Sequence, residues 1–425
     1  MLETETVAII GAGLAGHAAA EALRTEGFTG RVIIFGEEPQ RPYDRPPLSK
    51  EFLKGEWEEE RLYYRSTSAY DEQKIELRLN VRVEGIDTDK HLVFIANSEP
   101  VYYDHLLLAV GGYPKRLPIP GGELPGIYYL RTLADAAGIG NLLQPGAKLL
   151  VVGAGFIGCE VAAAARARET HVTVLEALSL PMANAFGAEI GEFFAAEHRA
   201  RGVDLRLGEG VSEFIGRDHV EGVVSAHGNT FDCAAVVVGV GIAPAVELLK
   251  GTPIQVDNGI LVDEYCRTNV PNVYAAGDVA NWWHPNLMRR IRVEHWDNAA
   301  KQGEVAARNM LGRNEVYSPV PYFWSDQFDL KLQLFGHLPK NESVEFVRSG
   351  SYEDRAFNLF YHVERRIVAA VSVNRFKEAR AAVKLIASGV EVDPAQLADA
   401  SVNIQALAKS LIAANKTQEA GAREM

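Results

Sequence analysis

Three glycines near the start of the chain have the spacing of a loop that receives a phosphate group. They are Gly11, Gly13 and Gly16. The apolar segment 7–10 precedes them and an alanine-rich segment follows, which predicts a strand, a sharp turn and a helix whose first N–H groups face an anion. Glu37 follows the next apolar segment, 31–35, and can accept hydrogen bonds from a ribose diol. Together these residues predict a dinucleotide site.

The same arrangement occurs again in the middle of the chain. Its glycines are Gly153, Gly155 and Gly158. The apolar segment 148–152 precedes them, and the segment 171–175 ends at a second acid, Glu176. Two such sites in one chain indicate an enzyme that transfers electrons between bound dinucleotides, usually from nicotinamide to flavin.

Glu176 also bears on the choice of nicotinamide coenzyme. A carboxylate at this position binds a free ribose diol and repels a 2′-phosphate. The residues that follow it, Ala177, Leu178 and Ser179, provide no arginine for a phosphate. The sequence therefore predicts a preference for NADH over NADPH.

Other side chains have two interpretations from sequence chemistry alone. The proline-rich loop 39–50 is either a rigid connector or a lining of the flavin pocket, with Arg45 and Lys50 facing the anionic cofactor. Asp278, after the short strand 273–276, suits either the hydroxyl groups of a ribitol chain or the cap of a helix. For Trp296, core packing is the favoured interpretation and stacking on a cofactor is the alternative.

Composition limits the class of protein. A chain of 425 residues predicts two or three domains, and a formal net charge of −13 argues against nucleic acid or an anionic membrane as partner. The cysteines are far apart, so we expect neither a redox disulfide between neighbours nor a bound metal or cluster. They are Cys159, Cys233 and Cys266. No membrane span or secretory signal is evident, which makes the cytoplasm the expected location.

Periodicity outlines the remaining elements. We expect a β-meander from Ile75 to Ile95, a buried parallel strand over 103–110 and a helix that begins at Thr132. After residue 321 the pattern changes to short strands of an antiparallel sheet, followed by a helix over 376–385 and a polar, frayed tail.

Seven short segments carry a resemblance to a known family in their order and spacing. They are GAGLAG at 11–16, RPPLSK at 45–50, LLLAVGG at 106–112, YLRTLADA at 129–136, GAGFIGCE at 153–160, VYAAGDVA at 273–280 and YFWSDQFDLKLQLFG at 322–336. Together they resemble the FAD-dependent ferredoxin reductases of bacterial oxygenase systems, which have apoptosis-inducing factor as a distant relative. The resemblance covers nearly the whole chain.

The resemblance implies an α/β fold with two Rossmann-like, glutathione-reductase-like domains and a C-terminal α+β domain. Residues 1–112 and 243–320 would form a discontinuous FAD-binding domain, and 113–242 the NAD-binding domain. The C-terminal interface domain would cover 321–410, with a polar tail over 411–425.

The resemblance also assigns site residues. FAD would be held by Gly11, Gly13, Leu14, Ala15, Gly16, Glu37, Arg45, Lys50, Val83, Arg131, Asp278 and Trp296. NADH would be held by Gly153, Gly155, Phe156, Ile157, Glu176 and Gly239. Glu160 would be the carboxylate beside the nicotinamide, within reach of Lys50, and these two are the expected catalytic residues.

The implied activity is transfer of electrons from NADH through FAD, one at a time, to a 2Fe–2S ferredoxin that feeds a dioxygenase or a cytochrome P450. Alternatives are an NADH oxidase or peroxidase-like flavoprotein, and an NADH-sensing interaction protein. Val110 replaces the family's usual threonine, while Trp296 resembles the dioxygenase-type members. One basic cluster could meet an acidic ferredoxin, although solvated charge is the slightly favoured interpretation. It consists of Arg289, Arg290 and Arg292.

Overall fold

The structure, a computed structural model, describes residues 4–339, 344–399 and 401–423. Its contacts divide the chain into two units. The first comprises Met1–Pro47, Trp57–Lys115 and Ile242–Ser318. The second comprises Leu48–Glu56, Arg116–Gly241 and Pro319–Met425. The short segment Leu48–Glu56 thus packs with the second unit, although the chain on both sides of it packs with the first.

A five-stranded parallel sheet forms the core of the first unit, with elements numbered along the chain. In spatial order its strands are β19 (Val273–Ala275), β7 (His105–Leu108), β1 (Thr6–Ile10), β2 (Arg31–Phe35) and β3 (Ile75–Arg78). Helices α1 (Leu14–Thr25) and α8 (Trp296–Met310) pack against each other in this unit. The expected buried strand over 103–110 is confirmed, because β7 pairs in parallel with both β1 and β19.

The predicted meander over 75–95 is partly wrong. Its first strand, β3, pairs in parallel with β2, and the antiparallel sheet begins only at β4 (Val83–Asp87). An edge strand of a parallel sheet is buried on one face, so its apolar and polar residues alternate as they do in a meander strand. The other strands and the short helix of this unit are β5 (Leu92–Ile95), β6 (Val101–Tyr102), β8 (Gly112–Pro114), β17 (Ile242–Pro244), β18 (Ile260–Val262), β20 (Ala280–His284), β21 (Arg289–Arg292) and α3 (Thr67–Glu72).

The second unit contains another five-stranded parallel sheet. Its order is β12 (Asp204–Leu207), β11 (His171–Glu176), β10 (Lys148–Val152), β16 (Ala235–Val238) and β9 (Ile127–Tyr128). Thr132 caps α4 (Leu133–Gly140) through a capping box with Asp135, as predicted. Its other elements here are α2 (Glu51–Lys54), α5 (Phe156–Ala167), α6 (Ala183–Phe186), α7 (Ala188–Ala200), β13 (Val211–Gly216), β14 (Val220–Ser225) and β15 (Thr230–Asp232).

An antiparallel sheet follows residue 321, as expected. Its order is β22 (Tyr322–Gln327), β23 (Leu330–Gly336), β26 (Arg366–Val373), β25 (Ala356–Val363) and β24 (Glu345–Ser351). The helices here are α9 (Phe376–Ser388), α10 (Pro394–Ala398) and α11 (Ile404–Arg423). Residues 411–423 of the tail expected to be frayed continue α11, because their alanines, lysine and glutamine favour helix and Leu411 and Ile412 pack on the local core. Residues 424 and 425 of the expected tail lie outside the described residues.

No helix in the parts of the chain described above is long and apolar enough to cross a membrane.

Candidate functional site

Two glycines of the first loop are required by the fold itself. Gly11 has a φ of +116°, and a Cβ there would lie 2.2 Å from the carbonyl oxygen of Ala109. A Cβ on Gly16 would lie 2.1 Å from the carbonyl oxygen of Gly11. Real side chains do not tolerate such distances, so these two positions make the turn and the close packing of α1 possible.

Gly13 differs, because the fold does not require it to be glycine. A Cβ at this position would meet no described atom within 4 Å. Gly13 is the N-cap of α1, no described side chain caps this helix, and its first turn carries no acid. The space beside Gly13 is therefore open at a helix start without a side-chain cap, and an anion such as the pyrophosphate of FAD fits there.

The second loop repeats this division of roles. Gly153 has a φ of +96° and its Cβ would lie 2.6 Å from the carbonyl oxygen of Gly239, while a Cβ on Gly158 would lie 2.0 Å from Gly153 O. Gly155, the uncapped start of α5, has only Gly239 O at 3.9 Å. The predicted residue Gly239 thus lies beside this loop, which fits the pyrophosphate of NADH.

The two acids lie at the ends of two parallel strands: Glu176 is the last residue of β11, and Glu37 follows β2 by two residues. Glu176 accepts hydrogen bonds from the main-chain N–H of Ala154 at 2.6 Å and of Leu178 at 2.8 Å. Its carboxylate is therefore fixed beside the second glycine loop. Glu37 is exposed, and its carboxylate lies 3.9 Å from the guanidinium of Arg82. Both positions suit a carboxylate that accepts ribose hydroxyl groups.

Arg45 lies in an acidic environment within the first unit. Its guanidinium donates to Glu38 at 2.6 Å and to the Tyr43 hydroxyl at 3.1 Å. Burial alone would lower the pKa of Arg45, but Tyr43, Glu38 and Asp278 outweigh this effect and raise it. Arg45 therefore carries a fixed positive charge near Asp278.

Asp278 does not cap a helix, because strand β20 follows it directly after a turn. Of the two interpretations of Asp278 from sequence, only the ligand role stays open.

Two other residues assigned to the FAD site lie in the same unit. Val83 is the first residue of β4 and is half-buried. Ala15 is 5% exposed, because Gly303 of α8 packs closely against it. A Cβ on Gly303 would lie only 2.3 Å from the main-chain oxygen of Ala15.

Trp296 is not a core residue, contrary to the favoured interpretation. It is the first residue of α8, is 38% exposed, and donates its indole N–H to Asp44 at 2.7 Å. With Leu14, His17 and Tyr64 it lines a cavity of about 380 Å³ between α1 and α8. A large aromatic ring that remains accessible at a helix start can stack on a ligand.

The second unit contains a buried ion pair between the expected catalytic residues. Lys50 is 6% exposed and Glu160 is 3% exposed, and their Nζ and Oε2 atoms lie 3.3 Å apart. The Ser49 hydroxyl also donates to Oε2, and the Ser325 hydroxyl donates to Oε1 at 2.7 Å. Both serines lie inside the segments 45–50 and 322–336, but their residue type and spacing alone do not mark them as partners of Glu160.

Phe156 and Ile157 begin α5, directly after the second glycine loop. The Phe156 ring lies 4.2 Å from that of Phe323, and Ile157 is 43% exposed. Arg131 precedes the cap of α4 and its main-chain N–H donates to Asp135 at 3.1 Å. Val110 is half-buried beyond the end of β7. The cofactor contacts of Phe156, Ile157 and Arg131 stay predictions.

Two arginines of the basic cluster donate hydrogen bonds to main-chain carbonyl oxygens. Arg290 donates to the carbonyl oxygens of Val262 at 2.7 Å and Asn281 at 3.1 Å. Arg292 donates to the carbonyl oxygen of Asp278 at 3.1 Å and to the Glu294 carboxylate at 2.6 Å. These contacts stabilise the sheet that contains β21, and a docking role for the cluster stays a prediction.

The three cysteines are free and buried. Burial raises the pKa of Cys233 to about 12 and also raises the pKa of Cys159 and Cys266. Reactive thiols need the opposite environment. Within the described residues, no group of three or more His, Cys, Asp or Glu side chains is arranged to hold a metal ion.

Comparison with known proteins agrees with this geometry. The pyridine nucleotide-disulphide oxidoreductase family matches residues 5–303, and the reductase C-terminal family matches residues 322–408. Rhodocoxin reductase of Rhodococcus erythropolis is 39% identical over 401 residues, which cover 94% of this chain and 93% of that protein. Putidaredoxin reductase of Pseudomonas putida is 34% identical over 424 residues, which cover 98% of this chain and 99% of that protein.

Solved structures give the same result. The covalent putidaredoxin reductase–putidaredoxin complex contains a chain with a TM-score of 0.92 and 33% identity, over 98% of this chain and 100% of that one. The ferredoxin reductase for the CYP199A2 system of Rhodopseudomonas palustris has a TM-score of 0.91 and 35% identity, over 95% of this chain and 100% of that one. The chain therefore belongs to the pyridine nucleotide-disulphide oxidoreductase family, among the reductases that carry the reductase C-terminal domain.

Proposed function

We propose that the chain is an NADH-dependent reductase that passes electrons through FAD to a 2Fe–2S ferredoxin feeding an oxygenase. One observation carries this proposal: a single chain presents two open glycine loops, at Gly13 and Gly155, while its three thiols are buried. The relatives named above are a rhodocoxin reductase, a putidaredoxin reductase and a ferredoxin reductase of the CYP199A2 system, which supports a ferredoxin reductase activity here.

When bound, FAD supplies the step between a two-electron hydride donor and a one-electron acceptor. The residues of the chain bind and orient the two dinucleotides. The N–H groups at the starts of α1 and α5 hold the pyrophosphates, while Glu37 and Glu176 hold the ribose hydroxyls. Because Glu176 is a fixed carboxylate with no arginine in the next three residues, NADH is the proposed coenzyme.

Lys50 and Glu160 are the proposed catalytic residues. Three donors converge on the Glu160 carboxylate, so it accepts hydrogen bonds as an anion and fixes the ammonium of Lys50. Lys50 would present positive charge to the flavin, and Glu160 would orient the nicotinamide. The other assigned FAD and NADH contacts, the division into an FAD-binding, an NAD-binding and a C-terminal interface domain, and a cytoplasmic location belong to the same proposal.

The test is stopped-flow reduction of the purified yellow protein by NADH and by NADPH, followed by addition of a 2Fe–2S ferredoxin. Fast reduction by NADH and rapid transfer to the ferredoxin are expected. Reduction without transfer to any of several ferredoxins would favour a direct oxidase or a sensor. A protein that binds no flavin would contradict the proposal at its first motif.

Docking of the ferredoxin at the basic cluster is tested by charge removal. Replacement of Arg289 and Arg290 by Gln should slow ferredoxin reduction and weaken its salt dependence, while reduction of a small dye is unchanged. Arg348→Gln, at an exposed arginine of β24, is the matched control. Equal loss with dye and ferredoxin would instead indicate damage to the sheet that Arg290 stabilises.

A further inference from the structure

A chain of buried hydrogen bonds leads from Glu160 to a histidine on another helix. Ser325 and Gln327 lie two residues apart on β22, so their side chains are on the same face of the sheet. Both are 0% exposed. The Gln327 amide group donates to Ser325 Oγ at 3.1 Å, and its carbonyl group lies 2.9 Å from Nε2 of His198 on α7. His198 is 2% exposed.

The direction of every donor in this chain follows from the charge of Glu160. A carboxylate can only accept, so the single hydroxyl proton of Ser325 points to Glu160. Ser325 Oγ must then accept from Gln327, whose N–H₂ group also faces the Met182 sulfur at 3.6 Å. The carbonyl oxygen of Gln327 therefore faces His198, which must carry its proton on Nε2.

His198 remains neutral in this arrangement. Burial lowers the pKa of His198, and this effect outweighs the hydrogen bond to Gln327, which raises it. The chain thus fixes one tautomer of a neutral imidazole. Reversal of the Gln327 amide would turn its carbonyl oxygen toward Ser325, so that either this oxygen or the Glu160 carboxylate would face a lone pair, which is unfavourable in a buried site.

We infer that Gln327 is a positioning residue for hydride transfer: it is held by His198, and it keeps Ser325 donating to Glu160. This inference rests on the proposed function. Ser325 and Lys50 bind different oxygens of Glu160, so the serine holds the carboxylate in the orientation that keeps Lys50 Nζ at 3.3 Å. If Ser325 were free to rotate, the carboxylate could turn, and the lysine ammonium would move with it.

The main variant is Gln327→Glu, which keeps size and replaces a donor by an acceptor. A carboxylate at this position can only accept, so it accepts from His198 and competes with Glu160 for the single Ser325 proton, which weakens the hydrogen bond to Glu160. We expect the single-turnover rate of flavin reduction by NADH to fall about tenfold with the NADH dissociation constant unchanged, as for loss of one hydrogen bond to a charged group. The matched control is Gln333→Glu, in the same sheet, where the amide donates to the Tyr322 hydroxyl at 3.1 Å.

A second pair of variants separates positioning from folding. His198→Leu removes the donor to Gln327 and should slow reduction, whereas His198→Gln places an amide N–H in a similar position and should restore most of the rate. Equal rates in these two variants, or equal loss in Gln327→Glu and Gln333→Glu, with a fast wild type, would overturn the inference and leave the proposed function intact.

A spectroscopic measurement tests the chain without activity. In protein labelled with ¹⁵N-histidine, the His198 signals, identified by their loss in His198→Gln, should show the neutral Nε2–H tautomer. In Gln327→Glu they should shift toward the doubly protonated ring. An Nδ1–H tautomer in the wild type would overturn the inference, whatever the kinetics show. A wild type that NADH does not reduce would overturn the proposed function, whereas the tautomer would still report on the hydrogen bonds.

Discussion

Replacement of Glu176 by Gln tests the basis of coenzyme choice. Both carboxylate oxygens accept main-chain hydrogen bonds, from Ala154 at 2.6 Å and Leu178 at 2.8 Å. A glutamine keeps one of these acceptors and places an NH₂ group against the other N–H. The local cost is therefore about 1 kcal/mol, and the loop keeps its shape.

The effect on the two coenzymes should be opposite. NADH loses hydrogen bonds to a charged group, which are worth about 1.5–3 kcal/mol, so its kcat/KM should fall roughly 10- to 100-fold. For NADPH, the repulsion between a carboxylate and a phosphate charge about 4 Å apart is about 4 kcal/mol at an effective dielectric constant of about 20. Even a third of this relief would raise kcat/KM for NADPH about tenfold, so the NADH/NADPH ratio should shift by about a hundredfold or more.

The assay is steady-state reduction of a small dye with each coenzyme, so that ferredoxin docking does not contribute. Glu213→Gln removes an exposed acid of the same unit, on β13, and should leave the ratio unchanged. If Glu176→Gln lowered kcat/KM equally for both coenzymes, Glu176 would act only by supporting the loop, and the argument from the ribose diol would be refuted.

Three further outcomes follow from the packing. Gly13→Ala should fold but lose flavin absorbance, whereas Gly16→Ala should destabilise the first unit, because only at Gly16 would the Cβ clash, 2.1 Å from a carbonyl oxygen. Glu160→Gln should lower the free energy of unfolding by about 3–5 kcal/mol, and Lys50→Met by less, because the carboxylate keeps two hydroxyl donors when the lysine is lost. Burial lowers the pKa of His17 to about 4, so the native state binds its proton at lower pH than the unfolded state. Stability should therefore fall by up to about 3 kcal/mol between about pH 6.5 and pH 4, and His17→Phe should flatten this dependence.

Each of these outcomes has a direct check. Flavin absorbance and urea unfolding without added FAD test the two glycine variants, because bound FAD would itself stabilise the native state. Urea unfolding of the FAD-loaded protein tests the Glu160 and Lys50 variants, and the pH series uses His171→Phe, at an exposed histidine, as control. An unfolded Gly13→Ala protein, a larger cost for Lys50→Met than for Glu160→Gln, or an unchanged pH dependence in His17→Phe would each contradict the reasoning behind it.

The glycine loops could be predicted from the sequence because their physical requirements are local. Gly16 is fixed by contacts inside one strand, turn and helix, Gly11 has the left-handed φ that its turn adopts, and Gly13 is identified by its place between them. The acid at the end of the next strand follows from the same short unit. The parallel sheets and the antiparallel C-terminal sheet were likewise evident in apolar runs and alternation.

The surroundings of Glu160 could not be predicted in this way. Its donors, Ser49 and Ser325, lie 111 and 165 residues away along the chain, and Gln327 and His198 continue the same chain of hydrogen bonds. No local period or spacing marks such pairs. Serine and glutamine are common on surfaces, so only the fold reveals that these side chains are buried together.

The segment Leu48–Glu56 has a consequence for how such a protein can be recombined. Leu53 is buried among residues of α4 and α5, and Arg168 donates to its carbonyl oxygen at 3.4 Å. A fragment or chimera that exchanged only Arg116–Gly241 and Pro319–Met425 would leave this segment behind, and with it two of the donors to Glu160. In recombination between the genes of relatives, Leu48–Glu56 is therefore expected to be inherited together with the other two segments of the second unit.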